Sequence, residues 1–200
     1  MLMKISSIPT NRRTLAYLGL FGTSIYKGMP LYSYAENLFY NGLNQMIPAY
    51  TGEHFDFITI TNADVDIEKT GFMPVITSRE QVSVTTPYGL SATLSYHAAC
   101  ILVWVFVLEQ IGHSISDADA RNRIFMTIQD IKYCFGRIEN DDGSKYITPE
   151  HCAAMEELFN NLNLLKAIGF VMSGAALYWL SRYFVTRKEF NRIVAEQKEV

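Results

Sequence analysis

The sequence predicts a mainly α integral membrane protein with two transmembrane helices, an intervening helix-loop-helix and a small β-prone segment on the N-terminal side. Three observations point there. The chain is charge-poor, with 18% charged and 49% apolar residues in 200, where soluble domains carry about 25% charged residues. The shortfall is concentrated: no charged residue falls between Ala98 and Leu108 or between Ala167 and Ser181. The remaining charge is also ordered. Residues 1–35 hold four basic residues and no acid, residues 182–200 hold five basic against three acidic, and residues 113–162 hold nine acids against five bases. Basic flanks around an acidic loop place both ends of a helical pair on the cytoplasmic or matrix side.

Residues 1–52 form the first segment. Leu15, Leu18, Leu20, Phe21 and Ile25 are apolar, but Gly19, Gly22, Lys27, Gly28 and Pro30 interrupt the run. A span needs about 20 predominantly apolar residues, so the stretch predicts an interfacial helix. The basic, acid-free start, with its serines and threonines, has the composition of a mitochondrial targeting segment. A membrane-proximal stretch of any inner-membrane protein reads the same way.

Residues 53–89 carry the short β-prone pieces Phe55–Thr61, Val65 with Ile67, Met73–Thr77 and Gln81–Thr86, separated by Asn62, Gly71 and the Pro87-Tyr88-Gly89 turn. They predict a hairpin or meander of about three strands, which needs another surface to lean on.

Residues 90–112 (LSATLSYHAACILVWVFVLEQIG) predict the first span. Its apolar pattern outruns the 4–8 residues of a buried strand. Residues 113–162 predict two helices about a turn. In the first, Ile124, Phe125, Ile128, Ile131, Cys134 and Phe135 recur at helical spacing behind a Ser116 cap. The second starts at Thr148-Pro149-Glu150, with Thr as N-cap and Pro at N1.

Residues 163–184 predict the second span. Lys166 and Arg182 lie one turn inside its ends, and Tyr178 and Trp179 stand at the basic end as interface anchors. Gly169, Ser173 and Gly174 supply small residues for close helix packing in lipid. Residues 185–200 predict a basic helical tail.

Between the two helices of 113–162, the loop Asn140 to His151 resembles an EF-hand calcium loop. With Ile147 at the central hydrophobic position, Asn140, Asp142 and Ser144 fall where side-chain ligands belong, and Tyr146 offers its carbonyl. The departures are large: Lys145 stands at the glycine position and His151 at the bidentate glutamate. No metal is therefore expected, and Asn140, Asp142 and Ser144 are weak candidates only. His97 and Cys100 share a face at i, i+3 without further ligands nearby, and Glu109 reads as a solvated charge at the end of the first span. The three cysteines make a poor disulfide framework.

No phosphate loop, nucleophile elbow or HExxH motif occurs, and net charge is −3. The chain is expected to be no enzyme and to hold no cofactor, nucleic acid or small-molecule substrate. The predicted function is a non-catalytic accessory subunit of a multi-protein inner-membrane complex, of the mitochondrial respiratory or ATP-synthase kind, with other membrane subunits and the bilayer as partners. A bacterial inner-membrane secretion or conjugation component is one alternative. A calcium-responsive membrane sensor using the degenerate EF-hand-like loop is another.

Overall fold

The structure, a computed structural model, describes residues 3–62, 67–68, 73–76, 78, 80–87, 89–140 and 142–172. The chain divides into two units, Met1–Leu158 and Phe159–Val200.

Strand β1 (Met3–Ser7) lies antiparallel to β4 (Asp56–Asn62), in register from Met3 opposite Asn62 to Ser7 opposite Ile58. The other edge of β4 takes β5 (Ile67–Glu68) and then β6 (Met73–Val75), both antiparallel. As the central strand, β4 buries Phe57 through Ile60 consecutively. Met73, Pro74 and Val75 are likewise all buried. A separate hairpin joins β7 (Gln81–Thr85) to β8 (Ser91–Ser95). Its alternation is plain in β7, where Val82 and Val84 are buried while Gln81 and Ser83 face out.

The N-terminal 50 residues supply two helices. Helix α1 (Arg13–Phe21) buries Tyr17, Leu20 and Phe21. A tight hairpin, β2 (Ile25–Tyr26) with β3 (Met29–Pro30), leads into α2 (Leu31–Met46). Helix α2 buries Leu31, Ala35, Phe39, Leu43 and Met46, a single stripe at spacings of three and four. The Tyr17 hydroxyl donates to the Glu36 carboxylate and ties the two helices.

Helix α3 (Tyr96–Ser114) is the centre of the core. It touches α2, α4, β6, β7 and β8. Fifteen of its 19 residues are buried, among them an unbroken run from Tyr96 to Val105. Gly42 of α2 lets the helices close: a Cβ there would stand 2.8 Å from Cγ1 of Val103. Trp104 is fully buried and meets Phe21 and Phe39 edge-on, at centroid distances of 6.2 and 5.7 Å.

This placement overturns the two-span membrane architecture. The predicted first span, 90–112, is strand β8 followed by α3, and α3 is apolar all round because protein surrounds it. A helix apolar on every face satisfies the requirements of a buried core and of a bilayer alike. By length and composition α3 is the one helix among the described residues that could cross a membrane, and its packing accounts for that composition. The second predicted span falls mostly outside the described residues; its first turns, to Met172, continue helix α5 (Pro149–Met172). The Glu109 carboxylate, expected in solvent, is 8% exposed and accepts from Nζ of Lys132 at 2.9 Å.

Helix α4 (Ala118–Cys134) packs Ala120, Ile124, Thr127, Ile128, Ile131 and Cys134 inward. Its cap is Asp117 rather than Ser116: Asp117 accepts the N–H groups of Asp119 and Ala120, each at 3.0 Å. The Ser24 hydroxyl first, and then these N–H groups, favour the ionised form and hold the Asp117 carboxyl below its ordinary value. Helix α5 starts as its sequence predicts, with Thr148 accepting the N–H of His151.

Gly22, which ends α1, sits at φ 63°, ψ −153°. That region is essentially closed to residues with a Cβ, and a Cβ here would also lie 2.7 Å from Nη2 of Arg123. Gly22→Ala is expected to cost about 1–3 kcal/mol through backbone strain, read as a shifted urea midpoint. An unchanged midpoint would show that the α1 terminus relaxes freely.

Candidate functional site

Among the described residues of the first unit, two concave sites stand out. The larger, about 920 Å³, is an open groove between α1 and α4 over the β1 end of the sheet. Its lining mixes the hydroxyls of Ser6, Ser7, Thr59 and Thr127 with apolar side chains, of which Leu15 and Met126 are 68% and 64% exposed. These two lie outward because each helix spends its inward face elsewhere. In α1 that face is Tyr17, Leu20 and Phe21, and in α4 it is Ile124, Ile128 and Ile131. Arg12 and Arg123 supply the charge, and no carboxylate, imidazole or thiol lines the groove. Arg123 is fixed from α4 to the end of α1 by donating from Nε to the Leu20 carbonyl at 3.2 Å. The groove thus presents apolar side chains together with two guanidiniums, a surface suited to an acidic, partly apolar segment of another protein.

The second site, about 430 Å³, lies where the start of α3 and the β7–β8 end meet the 140–148 loop and the first turn of α5. Asn140, Ser144, Lys145, His97 and His151 are among its lining residues. His97 is 8% exposed; its Nε2 lies 2.8 Å from the Tyr146 carbonyl and its Nδ1 3.4 Å from that of Ser78. Cys100, one turn along α3, is fully buried, and burial foremost pushes its thiol up to about 12. All three cysteines are free thiols.

The candidate ligands of the EF-hand-like loop are brought together, but they bond to one another. Asn140 donates from Nδ2 to Oγ of Ser144 at 2.8 Å, and both the N–H and the hydroxyl of Ser144 donate to Oδ1 of Asp142. The Tyr146 carbonyl, which the alignment offers to calcium, faces His97 instead. His151, at the position of the bidentate glutamate, is buried in the first turn of α5. The loop is a turn closed by its own side chains, which removes the basis for a calcium-responsive sensor. Calorimetry of the whole chain with calcium is expected to show no saturable heat in the micromolar range. In thermal melts Thr148→Ala, losing an N-cap worth about 1 kcal/mol, is expected to cost more than Asp142→Ala, a surface change within about 0.5 kcal/mol. The reverse order, or micromolar binding, would restore the sensor.

Of the other residues singled out from sequence, Ser173, Gly174, Tyr178, Trp179 and Arg182 lie outside the described residues. Lys166 and Gly169 fall on the helical backbone of α5, past the residues whose side chains are described. Sequence reasoning missed the groove residues Arg12, Leu15, Arg123 and Met126. One signal was available: Met126 is a large apolar residue off the inward stripe of α4.

No protein-family model and no curated protein matches the chain. Among solved structures, it is similar to one of the KlcA and ArdB proteins, described as a novel fold with antirestriction activity against Type I DNA restriction systems in vivo but not in vitro. The TM-score is 0.54 at 19% identity, over 76% of this chain and 92% of that one. At this identity the likeness is one of fold.

Together with the buried α3, this fold corrects the functional expectations. The accessory subunit of an inner-membrane complex rested on two spans, and the first is the core of an architecture shared with the KlcA and ArdB structure. Membrane subunits and bilayer as partners, the mitochondrial inner membrane as location, and the bacterial secretion or conjugation alternative rest on the same spans and fall with them.

Proposed function

We propose that this chain is an antirestriction protein that lowers the activity of a Type I DNA restriction system by binding one of its proteins, without catalysis. The observation that carries the reading is the shared fold, which extends over 92% of the KlcA and ArdB chain. The α1–α4 groove is the proposed contact surface. Its exposed Leu15 and Met126 provide apolar anchors, and Arg12 and Arg123 provide cations with no carboxylate among the lining residues. Arginine with large apolar side chains is the composition of energetically dominant interface positions. The groove's lining also lacks the side chains that serve most often as general bases.

The activity of the KlcA and ArdB proteins is described in vivo but not in vitro, so the test belongs in cells. Unmodified phage is plated on a host carrying a Type I restriction system, with and without the chain. Expression is expected to raise plating efficiency on the restricting host and to leave it unchanged on a host without the system. Equal plating with and without the chain on the restricting host would overturn the reading.

A further inference from the structure

We infer that the open outer edge of β1, at Ile5–Ser7, takes an extended acidic segment of the partner protein as an added strand. That the partner is a restriction-system protein rests on the antirestriction reading; the shape and charge of its segment follow from the edge itself.

Strand β1 stands at the end of its sheet, with β4 on one side and, among the described residues, no strand on the other. The ladder fixes which of its backbone groups face outward. Just past the strand, the Ile8 N–H donates to the Phe57 carbonyl at 2.8 Å. Bonded pairs alternate in an antiparallel ladder, so Lys4, Ser6 and Ile8 turn their backbone groups to β4. Met3, Ile5 and Ser7 turn theirs away. Met3 agrees with this phase: its carbonyl accepts from the Glu139 N–H at 3.0 Å, beside a single bridge to Ile138. Beyond that bridge, nothing among the described residues hydrogen-bonds the outward N–H and carbonyl groups of Ile5 and Ser7. Pro9 follows at the next outward position, where it has no N–H and ends the edge.

This edge is within reach of a partner. Ser6 and Ser7 are exposed, Ile5 is half-buried, and Ser6, Ser7, Ile8 and Pro9 all line the α1–α4 groove. An unpaired edge is a template for another strand unless charge, proline or a bulge blunts it. Ser6 and Ser7 are small and uncharged, and the register runs from Met3 to Ser7 without a bulge.

The groove sets the chemistry of the occupant. Side chains of a strand alternate between the two faces. Ser6 pairs directly with Thr59, and both line the groove. Alternate side chains of an added strand therefore fall on the groove side, where Arg12 and Arg123 are lining residues without a carboxylate among them. The intervening side chains fall on the side of Ile5. Main-chain bonds supply affinity in such an addition and the flanking side chains supply selectivity, here for acidic residues. The same charge disfavours a second copy of this chain as the occupant. Residues 1–35 hold four basic residues and no acid, and pairing β1 with β1 would bring two such stretches together.

The probe is a blocked octapeptide alternating Glu and Val, with its Lys and Val counterpart as control. Amide hydrogen exchange of the full chain, followed by NMR, reads the contact residue by residue. The acidic peptide is expected to bind saturably and to slow exchange at Ile5 and Ser7, with Lys4 and Ser6 already protected by β4; the basic peptide is expected not to bind. Ser7→Pro removes one outward N–H and leaves the bonds to β4 in place, as proline at an edge does. It is expected to melt as the unmodified chain does and to bind the acidic peptide about tenfold more weakly. The edge site is overturned by absent binding, by equal binding of the basic peptide, by protection that omits Ile5 and Ser7, or by unchanged binding in Ser7→Pro. Protection of both residues that rises with the chain's own concentration, without peptide, would make the occupant a second copy and overturn the acidic partner. The plating assay separates the two readings. Equal plating by Ser7→Pro and the unmodified chain, both above the level without it, overturns the edge and keeps the antirestriction function. Peptide protection of Ile5 and Ser7 in a chain that does not raise plating supports the acidic strand and removes the restriction protein as its source.

Discussion

Replacing Trp104 by alanine is expected to lower the unfolding free energy by about 3–5 kcal/mol, the range for a large aromatic removed from a packed core. Trp104 is fully buried at the middle of α3, with Phe21 of α1 and Phe39 of α2 edge-on against its ring. Three helices therefore lose contacts at one site. The two phenyl rings cannot both collapse into the space, since α1 and α2 are each held elsewhere, by the Tyr17–Glu36 bond and by the Gly42 approach to Val103. Against a total stability of about 5–15 kcal/mol, such a loss brings the domain close to unfolding at physiological temperature. Urea denaturation of the purified chain measures it. A loss below about 1 kcal/mol, the scale of an ordinary surface or half-buried change, would mean that Trp104 is not in a core at all. The same result would reopen the bilayer reading of this helix.

The double substitution Arg12→Glu with Leu15→Glu is expected to abolish the antirestriction effect while leaving the fold intact. Both side chains are exposed in the free chain, and surface substitutions usually stay within about 0.5 kcal/mol. At an interface the same positions matter far more. Losing a buried apolar anchor costs about 2 kcal/mol or more, and reversing a charge that faces an acidic partner adds repulsion. Plating of unmodified phage should fall back to the level without the chain, with an unchanged melting curve. Gln129→Glu, an exposed position of α4 outside the groove, adds a negative charge nearby and should retain the effect. Full activity of the double variant would place the contact surface elsewhere.

Local structure was largely legible in the sequence. The start of α5 at Thr148-Pro149 follows from capping chemistry alone, and the α4 stripe from spacing, with its cap displaced by one residue to Asp117. The β-prone pieces at 55–61, 73–77 and 81–86 contain most or all of β4, β6 and β7. Their partners were not legible. β4 pairs with β1, more than 50 residues earlier in a stretch read as a basic, targeting-like start, and β7 pairs with β8, read as the beginning of a span. Strand propensity is local, whereas pairing depends on which edge the fold brings alongside. The loop at 140–151 shows the same division. Its residue types resemble a calcium loop; the hydrogen bonds among Asn140, Asp142 and Ser144 are local to the turn, but the direction of the Tyr146 carbonyl toward His97 depends on where the fold places α3.

The sequence by itself determined that residues 90–112 hold a long apolar helix, and that the helix of α4 carries one inward stripe. It could not determine what surrounds that apolar helix, because burial in lipid and burial in protein select the same side chains. Only the tertiary structure decided this, by placing Gly42 against Val103, Phe21 and Phe39 against Trp104, and Lys132 against Glu109. The groove followed from the same packing: once Leu20 and Ile128 turn inward, Leu15 and Met126 are left outside in a groove that two arginines also line.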